Sequence, residues 1–182
     1  MRSLAKTTGS SLRRAASIGL LATGLVAASV GSAHATATPG HGAPVPPELK
    51  PPAGHVLAKA FSASGVQVYE CNGGTWSFVE PAASLTDARG RTAAIHFRGP
   101  TWQSTTDGSL VVGKAVANKP VTGTIPLLLL EATDNRGDGL FGRVTYIQRL
   151  ATQGGAAPTG PCEDGDTEGV PYRAQYRFFV EE

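Results

Sequence analysis

His96 is the residue whose type and position most suggest chemistry, because it is the one histidine within a predicted strand. It stands in AAIHFRGPTW, six residues before Trp102. An imidazole donates or accepts hydrogen bonds and can act as a general base near neutral pH. An indole ring beside it offers apolar surface. The pair suits either a ligand pocket or the site of a hydrolase or lyase.

The candidate binding residues combine aromatic rings with hydrogen-bonding side chains, which is the composition of a small-molecule pocket. They are Gln67, Tyr69, His96, Trp102, Tyr146, Gln148 and Arg149. The preferred hypothesis is binding of a small molecule or a glycan. The alternatives are catalysis with His96 as general base, assisted by Glu70 or Arg149, and a cell-wall-associated structural protein without a pocket. Both site hypotheses require His96, Trp102, Tyr146 and Gln148 to border one cavity.

The stretch DNRGDGLFGRVTY matches two functional motifs. Gly137, Gly139 and Gly142 fit the dinucleotide pattern G-x-G-x-x-G, and residues 136–138 spell the adhesion tripeptide Arg-Gly-Asp. A dinucleotide site needs a helix directly after its glycines, whereas RVTYIQRL has the β-branched and aromatic composition of a strand. A three-residue match on an exposed loop arises readily by chance. We interpret the stretch as a glycine-rich hairpin turn and predict no cofactor.

The acidic stretch DGDTEG resembles the start of a calcium-binding loop. Asp164, Asp166 and Glu168 occupy the first, third and fifth positions of such a loop, with Gly169 at the sixth. The twelfth position, however, is Gln175 and not a bidentate glutamate, and no helical pattern flanks the loop. We therefore interpret it as a solvated acidic loop, with an irregular calcium site as the alternative, and assign no metal ligands.

The elements that must position these residues are strands. From Val56 onward, short apolar segments alternate with stretches of turn-forming residues, and no window shows helical periodicity with a cap. The candidate strands are VLAKAF, GVQVYEC, TWSFV, TAAIHF, SLVVGKAVA, IPLLLLEAT, LFGRVTYIQRL and VPYRAQYRFFV. The pattern predicts an all-β fold, a single antiparallel β-sandwich or a closed β-barrel of about eight strands.

Alternation along the strands assigns side chains to faces, because successive residues point to opposite sides of a sheet. Gln67, Tyr69 and Cys71 share one side of GVQVYEC. One face of the last strand consists of Tyr172, Ala174, Tyr176 and Phe178.

For the strand TAAIHF, alternation does not show which face points inward. If Ile95 and Phe97 form the core face of TAAIHF, His96 is exposed. If the sheet encloses a cavity, His96 lines it with Trp102. The run LLLL does not alternate, so we expect a strand that is covered on both faces.

The N-terminus has the features of an export signal. Basic residues precede the apolar run ASIGLLATGLVAASVG, and Ala33 and Ala35 suit signal peptidase, which predicts a signal peptide over 1–35 with cleavage after Ala35. The adjacent Arg13 and Arg14 permit twin-arginine export as well as the general secretory route. Residues 36–55, rich in proline and glycine, read as an extended linker, and 56–182 as one domain.

Cleavage would change the charge of the chain. Four of the 16 basic residues and none of the 14 acidic residues lie in the first 35 positions, so 12 basic and 14 acidic residues remain, a net charge of −2. No dense basic run is left, which argues against nucleic-acid binding. No later apolar stretch is long enough for a membrane span. We expect a secreted, extracellular protein, either free or associated with the cell wall.

Cys71 and Cys162 are the two cysteines of the chain. An even pair in an exported protein most simply forms one disulfide. The bond would close a loop of about 90 residues and stabilise the fold by at most roughly 4 to 5 kcal/mol in the chain-entropy description. Two isolated thiolates lack the second pair that a zinc site uses.

An ordered series of motifs carries a family resemblance. GVQVYEC, WSFVEPAASL, HFRGPTWQSTTDGSLVVG, IPLLLLEAT and GRVTYIQRLATQGGAAPTGPC resemble the family of proteins of unknown function DUF3455, from about Pro46 to Val180. The resemblance implies a secreted or cell-envelope protein of microbial origin with no established activity. The matching positions include the polar Gln67, His96, Gln148 and Arg149, which are harder to explain as structural residues than the aromatic, glycine and cysteine matches.

Overall fold

The computed structural model describes residues 45–182, so the predicted signal peptide and the first part of the linker lie outside the described residues. A short 3-10 turn, η1 (Pro47–Leu49), precedes eight strands. The strands are β1 (His55–Asn72), β2 (Thr75–Thr86), β3 (Thr92–Phe97), β4 (Thr101–Ser104), β5 (Leu110–Lys119), β6 (Leu127–Arg136), β7 (Tyr146–Gly154) and β8 (Thr167–Glu181). The predicted all-β fold is confirmed, and residues 45–182 contain no α-helix.

The strands form one antiparallel sheet. Each strand pairs with the next along the chain, and β1 also pairs with β8, so the order β1 to β8 closes into a barrel. Most of β1 pairs with β2 on one side and with β8 on the other. A single closed sheet is one of the two architectures that the strand pattern allowed.

The strand boundaries differ from the predicted ones in several places: β2 continues to Thr86, and β7 begins at Tyr146 instead of Leu140. VLAKAF and GVQVYEC, predicted as separate strands, are parts of one strand, β1. A Cβ atom at Gly65 would collide with the carbonyl oxygen of Ala82 and with Ala83, so this glycine lets β1 and β2 approach each other. The sequence also hid β4, because its four residues are too few to show alternation.

The connection between β6 and β7 is the predicted hairpin turn. The two strands pair antiparallel, and no helix follows the glycines at 137–142. Asp107 holds the turn through a carboxylate that accepts a hydrogen bond from the Leu140 backbone amide at 3.0 Å. A side chain at Gly139 would collide with that carboxylate. The glycines therefore serve a tight turn, as interpreted, and form no dinucleotide fingerprint.

The main core lies inside the closed sheet. Gln67, Tyr69 and Cys71, which alternation groups on one side of β1, are all buried, so that side faces the interior. The predicted face of β8 is buried as well, and its aromatic rings pack against partners from other strands. Rings of that interior include Phe61, Trp102, Phe141, Tyr176 and Phe178.

A second, smaller core covers the outside of β6 and β7. Leu49 of η1 is fully buried there, together with Leu129 and Leu150. Leu130 faces the main core instead, so the LLLL strand is covered on both faces, as predicted. Leu49 and, in part, Val45 therefore pack against the sheet, within the segment that the sequence predicts as an extended linker.

The predicted disulfide between Cys71 and Cys162 is present, with 6.0 Å between the two Cα atoms. It joins the end of β1 to the long connection between β7 and β8. The backbone amide of Gly73 adds a second link, because it donates a hydrogen bond to Asp164 at 2.6 Å. No helix in the described part of the chain has the length and apolar composition needed to span a bilayer.

Candidate ligand pocket

A cavity of about 530 Å³ lies within the closed sheet. Every one of the eight strands contributes at least one lining residue, so the pocket depends on closure of the whole sheet. Its wall is mainly apolar, with contributions from Phe78, Val79, Pro81, Ile125, Leu128 and Leu130. A volume of this size suits a small ligand.

Five of the seven predicted binding residues line this cavity. They are Gln67, Tyr69, His96, Trp102 and Arg149, contributed by β1, β3, β4 and β7. The structure also shows which face of β3 points inward, a question that the sequence left open. His96 is only 3% exposed, whereas Ile95 is 41% exposed. His96 thus lines the interior with Trp102, as expected for a sheet that encloses a cavity.

Tyr146 and Gln148 do not border the cavity, so both site hypotheses fail in the form that required His96, Trp102, Tyr146 and Gln148 to line it together. Alternation along β7 places Arg149 and Ile147 inside, so Gln148 and Tyr146 must point outward. The Gln148 side-chain amide donates to the Leu49 carbonyl at 2.5 Å and holds η1 against the sheet. Adjacent strand residues cannot share a face, and the sequence-based set overlooked this constraint.

Tyr146 packs on the outer surface as well. Its ring meets that of His55 edge-on, with 4.8 Å between the centroids. The sequence-based set also missed Tyr176, which lines the pocket from β8. The alternation that assigned Tyr176 to one face with Tyr172 and Phe178 could have found it.

His96 and Trp102 form the aromatic floor of the pocket. The two residues are direct partners across β3 and β4, and their rings stack with 4.3 Å between centroids and 4° between planes. The Tyr176 ring packs edge-on against both, at 5.2 Å and 5.3 Å. One face of the indole is therefore covered by the imidazole.

His96 is neutral in this environment. Burial lowers its pKa from 6.5 to about 3, the hydrogen bond to Thr101 opposes that effect, and the charge of Arg149 adds to it. The ring Nδ1 lies 2.9 Å from the Thr101 carbonyl oxygen, which can only accept. Nδ1 therefore carries the proton and donates, and Nε2 remains the acceptor.

The polar side chains of the pocket wall lie close to one another. Burial raises the pKa of Tyr172 and of Tyr176, whereas hydrogen bonding with Gln67 lowers that of Tyr172 and hydrogen bonding with Tyr172 and Arg149 lowers that of Tyr176. The indole nitrogen of Trp102 is buried and has no hydrogen-bond partner within residues 45–182. In contrast, the hydroxyl of Tyr69 donates to the carbonyl of Gly155 at 2.6 Å.

The family of the chain follows from comparison with known proteins. A sequence profile of the proteins of unknown function DUF3455 matches residues 52–180. The chain belongs to this family. No curated protein and no solved structure matches it. All residues that line the pocket of this DUF3455 protein fall within the matched range.

Arg149 is the one charged residue that lines the pocket of the DUF3455 domain. Its Nε atom donates to the Pro126 carbonyl at 3.1 Å, which anchors the side chain beside β6. Its charge lowers the pKa of Tyr69 and Tyr176, although burial is the larger effect and raises both values. The Glu70 side chain, suggested as a catalytic assistant, does not line the pocket, because it follows the inward-facing Tyr69.

The acidic loop of the DUF3455 domain uses carboxylates to hold its backbone. Asp164 accepts a hydrogen bond from the Gly73 amide, and Asp166 accepts one from the Glu163 amide at 2.9 Å. Over residues 45–182, no three histidine, cysteine or acidic side chains are grouped so that they could hold a metal ion.

Proposed function

We propose that this DUF3455 protein binds a small, mainly apolar molecule in the pocket that its eight strands enclose. The observation that carries the proposal is a cavity of about 530 Å³ whose wall is mainly apolar and includes the polar side chains of Gln67, His96 and Arg149. An apolar pocket with a few polar groups in its wall is the usual form of a small-molecule site.

The wall of the pocket favours an apolar molecule over a glycan. Sugars carry hydroxyl groups on most sides and usually stack against an open aromatic face. Here the indole of Trp102 is 1% exposed and one of its faces is covered by His96. Most lining side chains are aliphatic, proline or aromatic, and they match hydrocarbon surface better than hydroxyl groups.

Binding without catalysis accounts for His96 better than general-base chemistry does. A general base works best when its pKa lies near the working pH, and burial holds the pKa of His96 at about 3. No carboxylate lines the pocket to orient the imidazole or to stabilise its charged form. The hydrogen bond to the Thr101 carbonyl fixes the ring as a wall element with an acceptor at Nε2.

We also propose that the protein acts outside the cytoplasm. Disulfides persist in oxidising compartments, and Cys71 and Cys162 form one. The signal peptide expected over residues 1–35 supports the same location. Microbial origin and association with a cell wall remain expectations from the sequence.

Titration of the purified protein with N-phenyl-1-naphthylamine tests the binding proposal. This neutral dye fluoresces strongly in apolar surroundings, and we expect saturable binding in the micromolar range. Ala115→Trp would place a bulky ring at an exposed position that lines the pocket, and should weaken binding at least tenfold. Its matched control is Val116→Trp on the same strand, a residue that is 50% exposed and does not line the pocket.

The control variant should bind as the wild type does, and both variants should keep the far-ultraviolet circular dichroism of the wild type. No saturable binding by the wild type, or equal binding by Ala115→Trp, would refute the proposal. Such a result would favour the hypothesis of a structural protein without a binding site.

A further inference from the structure

Arg149 occupies an unusual position for a cation. It faces inward from β7, where it stands opposite Leu128 on β6 and Tyr176 on β8, and all three residues line the cavity. The Nε donor is used by the Pro126 carbonyl. Three ion pairs occur within residues 45–182, and Arg149 takes part in none of them. The terminal nitrogens of its fork therefore have no carboxylate partner in the described chain.

The surroundings of this guanidinium offer donors and neutral rings but no negative charge. No aspartate or glutamate lines the cavity. Gln67, Trp102 and Tyr176 belong to the same wall, and each of these residues is at most 2% exposed. A charge in an apolar wall is favourable when a counter-charge and hydrogen-bonding partners accompany it. An acceptor-rich anion in the cavity would supply that counter-charge to the half-buried Arg149.

The positive charge of Arg149 affects the pKa values of side chains on three other strands. Arg149 lowers the pKa of His96 on β3 and of Tyr69 on β1, in both cases as an effect smaller than burial. It opposes the burial-driven rise in the pKa of Tyr176 on β8 in the same way. Arg149 lines the cavity together with these three side chains, so a molecule bound there would lie within the influence of its charge.

We propose that the preferred ligands are amphiphilic monoanions, in which one carboxylate pairs with Arg149 and a hydrocarbon body fills the apolar part of the cavity. A planar guanidinium fork matches a carboxylate with two parallel hydrogen bonds. One cation in an otherwise apolar wall suits a single negative charge, whereas a phosphate would need further cations. This inference rests on the proposed binding function and specifies the class of ligand.

Competition against N-phenyl-1-naphthylamine tests the inference with two probes that differ only in the head group, one anionic and one neutral. Decanoate and decan-1-ol have the same alkyl length, and at pH 7.5 decanoate is ionised. We expect decanoate to displace the dye from the wild-type protein at a concentration at least tenfold lower than decan-1-ol. Equal potency of the two probes would overturn the inference, while dye binding itself would still support the proposed function.

Two variants separate the charge of Arg149 from its bulk. Arg149→Met keeps an unbranched side chain without charge, and should lower the ratio of decanoate affinity to decan-1-ol affinity at least tenfold relative to the wild type, whatever its effect on dye binding. Arg149→Lys should keep part of the preference for decanoate. The matched control is Arg173→Met, which removes an exposed, outward-facing arginine on β8 and should change nothing.

Equal loss of decanoate and decan-1-ol affinity in Arg149→Met, with their ratio unchanged, would assign Arg149 to the shape of the pocket and overturn the inference. If the variant fails to fold, the comparison of decanoate with decan-1-ol on the wild type still decides the question. Failure of the dye to bind the wild type would instead refute the proposed function itself.

Discussion

The rings of His96 and Trp102 stack face to face, 4.3 Å apart, because the two residues are direct partners on β3 and β4. This contact takes the imidazole out of solvent and leaves it almost fully buried. Its Nδ1 donates to the Thr101 carbonyl, so the ring is oriented by the backbone and not by an acid. The pair forms a rigid, neutral wall for the cavity.

Burial of His96 should make the protein less stable in acid. The pKa falls from 6.5 to about 3 on folding, so the unfolded chain binds a proton between these values and the folded chain does not. Above pH 6.5 the titration of His96 therefore does not reduce the free energy of unfolding. As the pH falls from 6.5 toward 3, the free energy of unfolding decreases progressively, by as much as about 5 kcal/mol. Urea denaturation at several pH values between 4 and 7.5 measures the slope.

A non-titrating variant isolates that contribution. His96→Gln should flatten the dependence of the free energy of unfolding on pH in this window, whatever its effect on stability at pH 7.5. His55→Gln alters a histidine outside the pocket and should retain the wild-type slope. Identical slopes for the wild type and His96→Gln would contradict the buried neutral state of the imidazole.

Removal of the disulfide should destabilise the fold substantially. The double variant Cys71→Ser, Cys162→Ser frees a connection of 91 residues, and we expect a loss of about 3 to 5 kcal/mol in urea denaturation. Thiol titration of the denatured wild type should find no free thiol before reduction and two after it. Two free thiols in the unreduced protein would show that the bond does not form.

Truncation of Leu49 should destabilise the sheet without affecting the pocket. Leu49 is fully buried against Leu129 and Leu150 on the outer side, and Leu49→Ala should lower the free energy of unfolding by about 2 to 5 kcal/mol. Dye binding should change less than twofold, because this cluster is separate from the cavity. Glu48→Ala is the neighbouring control and should cost less than about 1 kcal/mol, since it removes a surface ion pair with Lys119.

A side chain at Gly65 should force β1 and β2 apart. Gly65→Ala would place a methyl group against the Ala82 carbonyl, so we expect a loss of about 1 to 3 kcal/mol in thermal or urea denaturation. Gly169→Ala on β8 is the matched control, because a Cβ atom there meets Val66 at 3.4 Å or more, an ordinary contact. Equal stability of the two variants would argue against the close approach of β1 and β2.

The sequence alone was sufficient for the class of the fold and for much of the interior. Period-two alternation identified which residues share a face of β1 and of β8, since that pattern depends only on neighbouring residues. It could not reveal that VLAKAF and GVQVYEC form one strand, because Gly65 is where that strand passes close to the backbone of β2, a partner distant in the chain. The four residues of β4 carried too little pattern to be recognised.

Part of the candidate site, too, could be predicted from the sequence, and part could not. Gln67, Tyr69, His96, Trp102 and Arg149 were identified by residue type and family resemblance, and the cavity brings them together. Local alternation could show that Gln148 and Arg149 face opposite sides of β7, and only the tertiary structure could show which side is the interior. That choice depends on the pairing of β1 with β8, which closes the sheet and links the first strand of the chain to the last. Sequence patterns report which side chains share a face, whereas long-range pairing decides which face encloses the ligand space.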